Sequence, residues 1–210
     1  RLAEAVKSRE QWHLVSREHV LQNVGAEMER VGMYVDISKV QDKEQDIQTK
    51  LNAQRRLVRE GISENFNPRS TTQLQALLFD DWGLPPVKYN EKSGDPSTDD
   101  DTLRRMITGY GLSEDRIILL QAVRLIRRYS KLLGTYVRPL RSVKETYTTG
   151  SGEERPGIIL KDGRIHPSYN RLPATGRYSS SSPNAQNIPY LLRDLFIPAP
   201  GHTFVGADMD

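Results

Sequence analysis

The chain has 210 residues, 36% hydrophobic and 27% charged, with a formal net charge of +3 and no cysteine. That length allows one large domain or two small ones, and the composition suits a helix-rich, well-solvated protein. A disulfide framework and a thiolate metal centre are excluded, and no apolar run approaches the roughly 20 residues that cross a bilayer.

In chain order, residues 17–31 predict an amphipathic helix with Val20, Leu21, Val24, Met28 and Val31 on one stripe. Gly32 is placed to stop it, and Met33 to Val35 follow as a short apolar stretch closed by Asp36. A second helix is expected from Ser38, with Gln41 completing a capping box, to Glu60. Its narrow stripe of Val40, Ile47, Leu51 and Val58 suits a long helix packed on one partner. Asn67-Pro68 breaks the chain, and Ser70 with Gln73 caps a third helix reaching Trp82. Residues 83–96, rich in glycine, proline and lysine, read as an exposed loop. Thr98 with Asp101 is expected to cap a fourth helix, whose three aspartates suit the helix dipole.

The next helix is predicted over 114–138, with Ile118, Ala122, Leu125, Tyr129, Leu132 and Tyr136 inward and Pro139 ending it. Between residues 103 and 144 lie ten basic side chains against two acids, a local excess of eight positive charges that would attract a phosphate backbone. Residues 146–156 read as a flexible turn, and Asp162-Gly163 between apolar runs signals a hairpin of 157–160 with 164–166. Residues 203–207 predict a final apolar strand ending on Asp208.

The stretch TGRYSSSSPNAQNIP followed by FIPAPGHTFVGAD resembles the entry to the palm and motif A of the family A DNA polymerases, the bacterial polymerase I type. Upstream, AEMERVGMYVD, FNPRSTTQLQALLF, KSGDPSTDDDTL, RRYSKLLGTYVRPL and GRIHPSYNRLPATGR resemble the same family in the same order. The resemblance covers residues 20–208. It implies an α+β fragment of a right-hand polymerase: residues 1–19 ending a preceding region, a mainly helical thumb of long antiparallel helices over 20–156, and the first palm strands over 157–210. The start at Arg1 rather than methionine, and a stop just past the motif, agree with a piece of a longer polypeptide.

The same resemblance implies the chemistry. Asp208 falls where the family has its motif A metal aspartate, and the Met209 carbonyl would be a second ligand of a two-magnesium site completed by residues beyond this piece. Arg177 would reach the minor groove at the primer terminus, whose acceptors occur on every base pair. Ser179, Ser180, Asn184, Gln186 and Asn187 would donate to phosphates, sugars and groove acceptors. Lys131 and Thr135, with Lys88, Lys92, Ser97 and Thr98 around the exposed loop, are candidate backbone contacts. The implied partners are primer–template DNA and deoxynucleoside triphosphates, for a monomer in the cytoplasm of a bacterial or phage-infected cell with no membrane partner. The piece alone is expected to be inactive.

A non-catalytic helical DNA-binding module with a degenerate polymerase fold is the alternative, and a single-subunit RNA polymerase relative is a third reading. Several positions depart from the family pattern. Tyr178 replaces a common leucine, Ser182 a common aspartate and Met209 a common tyrosine, and the connection from Pro189 to Arg193 is short. Asp210 reads as a solvated or capping residue rather than a ligand.

Overall fold

A computed structural model describes residues 12–141, 146–148, 154–156, 158–170 and 177–206, with 146–148 and 154–156 given by backbone alone. Contacts divide the chain into two compact units, Asp42–Thr135 and the union of Arg1–Gln41 with Tyr136–Asp210. By compactness the boundaries fall near residues 41 and 135.

The unit 42–135 is helical. Helix α2 spans Ile37–Gly61 and buries the predicted stripe, with Ile47, Leu51 and Val58 inaccessible. Its cap is Asp36, two residues before the expected Ser38: the Asp36 Oδ1 accepts the Lys39 N–H at 3.1 Å. Helix α3, Thr71–Gln75, is capped by Ser70 Oγ as expected, while Gln73 Oε1 reaches back to the Asn67 N–H at 2.6 Å. It widens into a π-helical stretch over Ala76–Asp81 that buries Leu77 and Leu78.

The loop after α3 is pinched by a bridge between Tyr89 and Pro96 and by Asn90, which closes a turn through Asp95 and Gly94. Helix α4, Asp100–Gly109, is capped by Asp99, whose Oδ1 accepts the Thr102 N–H at 2.8 Å; Thr98 is not the cap and is buried. Helix α5, Glu114–Lys131, buries Leu120, Ala122, Val123 and Ile126, and a wider turn over Leu132–Val137 follows. This face is turned by about one residue from the predicted stripe, leaving Ile118 exposed. Residues 117–126 are apolar on most faces, so periodicity alone did not fix the phase.

In the other unit, α1 (Trp12–Val31) runs opposite to expectation. Val20, Val24, Met28 and Val31 are exposed, and its only buried described residue is Gly25. Strand β1, Met33–Val35, is the centre of a three-stranded antiparallel sheet, with β4 (Arg164–Ile165) on one side and β7 (Phe196–Ile197) on the other. The Asp162-Gly163 turn forms, closed by Leu160 N–H to the Arg164 carbonyl at 2.8 Å, yet β4 takes its ladder from β1. Strands β2 (Thr146–Thr148) and β3 (Glu154–Pro156) pair where a flexible turn was expected. Strand β5 (Ser168–Asn170) pairs with β6 (Ser179–Ser181), setting Tyr169 opposite Ser180. Residues 203–206 form no strand, and Phe204 and Val205 are exposed.

Candidate nucleic-acid interface

The serine-rich strand β6 alternates: Ser179 and Ser181 face outward and Ser180 is buried. Ser180 Oγ donates to Asn184 Oδ1 at 3.1 Å and accepts the Gln186 N–H at 3.2 Å. Asn184 Oδ1 also accepts the Asn187 N–H at 3.2 Å, capping the short 3-10 turn Ala185–Asn187. Gln186 Nε2 donates to the Tyr178 carbonyl at 3.0 Å. Part of the expected polar set thus spends its hydrogen bonds fixing its own corner, as serine and asparagine do in turns. Arg177, Ser179, Asn184, Gln186 and Asn187 are exposed at that corner, whereas Ser180 supports it from beneath.

The corner is tied to α1 by residues the sequence reading did not single out for this role. The Tyr178 hydroxyl donates to the Leu21 carbonyl, and its ring meets Tyr169 edge-on at 6.3 Å. A Cβ on Gly25 would lie 3.4 Å from Tyr178 Cε1. Glycine inside a helix costs roughly 1 kcal/mol against alanine, and here it opens the space the tyrosine fills. The Tyr169 N–H donates to Glu29 Oε1 at 2.5 Å, and Arg164 Nη1 to the Val31 carbonyl at 2.5 Å. His166 sits between two acceptors, the Glu29 carbonyl at 2.7 Å and Asp162 Oδ2 at 2.9 Å. Only the imidazolium can donate to both, and the Glu29 carbonyl, then Asp162, raise its pKa above the ordinary 6.5. A glycine in the middle of an amphipathic helix was the available signal for this docking.

In the helical unit, a groove of about 710 Å³ is lined by Asp100, Gln121, Arg124, Arg127, Arg128 and Lys131. Arg127 is half-buried, donating to the Pro68 carbonyl at 2.7 Å and the Thr98 carbonyl at 2.5 Å; burial pushes its pKa down. Arg124 grips Asp100 with two bonds of 2.8 Å, from Nε and Nη2. That pairing lowers the Asp100 pKa and raises that of Arg124. Arg128 and Lys131 are exposed, and Thr135 is exposed one turn further on.

The loop candidates separate. Lys92 is exposed, Lys88 pairs with Asp99 Oδ2 at 2.6 Å, and Ser97 Oγ accepts the Asp99 N–H at 3.3 Å. Thr98, expected as a backbone contact, is 5% exposed and offers its carbonyl to Arg127 instead. Burial opposes ionisation of Asp99, but Lys88 and the Thr102 N–H overcome it and hold the carboxyl at about 2. Asp208, Met209 and Asp210 lie outside the described residues. Among the described residues, no cluster of three or more histidines and carboxylates could hold a metal, and no helix is long and apolar enough to cross a membrane.

The chain is 32% identical over 192 residues to the thermostable DNA polymerase I of Thermus thermophilus, matching 90% of this chain and 20% of that protein. It is 33% identical over 202 residues to DNA polymerase I of Pseudomonas aeruginosa, again 20% of the relative's length. The chain therefore spans about a fifth of these curated relatives. Among solved structures it resembles the POL domain of Pol1 from M. smegmatis, determined in complex with DNA primer-template and dNTP. That match has a TM-score of 0.77 and 28% identity, and covers 96% of this chain and 33% of the other. The sequence profile of DNA polymerase family A matches residues 37–210, and this chain belongs to that family.

Proposed function

We propose that the chain is the thumb and first palm segment of a template-directed DNA polymerase, which grips primer–template duplex and contributes one metal-binding aspartate to nucleotide addition. The profile match over residues 37–210 carries this reading, because it runs through the segment that holds Arg177 and Asp208. The exposed corner around Arg177 and the cationic groove on α5 support it. Both offer donors to a polyanion without a pattern that would select a base sequence.

In this reading Arg177 tests the primer terminus from the minor groove, with Ser179, Gln186 and Asn187 beside it. The cations of α5 take backbone phosphates, as does Lys92. Asp208 would hold magnesium together with the Met209 carbonyl; hard oxygen donors in a chain without cysteine suit that ion. When bound, magnesium supplies charge stabilisation at the oxygens of the transferring phosphoryl group. Deoxynucleoside triphosphates and primer–template DNA are the partners this assigns, in the cytoplasm of a bacterial or phage-infected cell.

The test is nucleotide incorporation by the full-length protein containing this chain. Asp208→Ala is expected to abolish primer extension in magnesium while duplex binding persists. Undiminished extension by that variant would remove Asp208 from the metal site.

A further inference from the structure

Asp100 is not needed to cap its own helix. The cap of α4 is Asp99, and Asp101 is engaged by Arg104 and Arg105 at 2.8 and 2.9 Å. What Asp100 does instead is reach 24 positions along the chain to Arg124 and occupy both donors of its fork. The two partners are unequally exposed, the carboxylate side chain at 71% and the arginine at 27%. The arginine is therefore a fixed part of the groove wall, and the carboxylate is a solvent-facing cover on it.

A guanidinium binds carboxylate and phosphate in the same planar, two-bonded way. Arg124, Arg128 and Lys131 lie along eight residues of α5, a row of about 10 Å at the helical rise. A row of that length fits successive phosphates of a strand better than one compact anion.

We propose that Asp100 is a built-in stand-in for a DNA backbone phosphate: in the unbound protein it holds Arg124, and a phosphodiester entering the groove takes that guanidinium from it. The inference rests on the duplex-binding reading above and adds a competitor to it. The displaced carboxylate already faces water, so its release costs little desolvation, while its charge opposes the arriving strand. Asp100 thereby weakens binding and keeps the groove's arginine ordered and selective for ligands that can replace a bidentate partner.

The experiment measures binding of a labelled primer–template duplex over a salt series, using the full-length protein. Asp100→Asn is expected to tighten binding by about three- to fivefold at low salt, the scale of one exposed ion pair. The slope of log affinity against log salt should stay close to the parent's, because Arg124 neutralises the same phosphate in both complexes. Asp46→Asn, which removes the same charge from an exposed pair with Lys50 on α2, should change neither. Adding Arg124→Gln to Asp100→Asn should erase the gain. If Asp100→Asn behaves like Asp46→Asn while the parent binds in a salt-dependent way, the competitor role is overturned and duplex binding stands. A gain that survives Arg124→Gln overturns it equally. A parent protein that binds no duplex at low salt overturns the duplex-binding reading and this inference with it.

Discussion

In the helices of 42–135, Leu74, Leu78, Leu103, Met106 and Leu120 are each fully inaccessible, so burial of aliphatic side chains holds them together. The strands of the other unit are two or three residues long, too short to bury comparable surface. That unit also buries Ile159, Ile165, Leu192 and Leu195, but its ties to α1 are polar and aimed at the backbone of that helix. Arg164, His166 and Tyr178 all end on main-chain carbonyls of α1, and Glu29 receives the Tyr169 N–H. Non-directional burial tolerates a change of side chain if volume is kept, whereas a bond to a carbonyl depends on where that helix sits. The two units should therefore fail in different ways.

Truncation in the core gives the largest effect. Leu120→Ala in α5 should cost about 3 kcal/mol, read as lost amide protection across α2, α4 and α5. Gly32→Ala tests the other unit, where the deciding quantity is backbone geometry. Gly32 has φ +63°, and a Cβ there would lie 2.5 Å from the Ile165 carbonyl and 2.9 Å from the His166 ring. Left-handed strain of about 1 kcal/mol or more, plus separation of β1 from β4, predicts a loss of about 2 kcal/mol. Protection should fall at β1 and β4. Equal loss from both substitutions at the same amides would remove the contrast.

The same contrast explains what could be read from the sequence. The α2 stripe was legible because only one face of that helix is apolar, so Val40, Ile47, Leu51 and Val58 had a single possible inward side. In α1 the period was right, but of the expected stripe only Leu21 lies toward the protein. The face toward the protein carries Leu14, Leu21, Gly25 and Glu29, and its value lies in a missing side chain and a carboxylate rather than in hydrophobicity. Strands of two or three residues have no period to detect, so the pairing of β1 with β4 and β7, 130 and more residues apart, could not be seen. At the candidate interface, exposed charges such as Arg177, Arg128 and Lys131 were visible as composition. The role of Asp100 was not, because adjacent aspartates at a helix start look alike until a distant arginine selects one.

A coupling experiment sharpens the point about α1. Gly25→Ala should be neutral or stabilising by up to about 1 kcal/mol, since the new methyl meets Tyr178 at ordinary contact distance and helix propensity improves. Gly25→Leu should destabilise by overpacking against that ring, and Tyr178→Leu should restore most of the loss. A coupling energy above about 1 kcal/mol in the double-mutant cycle is the expected outcome. Additive effects would mean the tyrosine does not fill the glycine's space.

The smallest effects are in pH, and they run in opposite directions in the two units. Asp99 is held at about 2 against an ordinary 3.8, so its contribution in the helical unit is present above pH 3.8. It is lost as pH falls through 2, and after solvent screening of a half-exposed side chain it amounts to about 1 kcal/mol. His166 is raised above 6.5 by the Glu29 carbonyl and by Asp162. Its contribution is complete below pH 6.5 and disappears as pH rises through the raised value, when the ring can no longer donate to both acceptors. Amide protection at β4 and the end of α1 should therefore decline on the alkaline side in the parent and become flat there in His166→Gln. Protection at α4 should decline only on the acid side, and Asp99→Asn should flatten that. An alkaline decline at β4 that persists in His166→Gln would assign the pH response to another group and leave the histidine as packing alone.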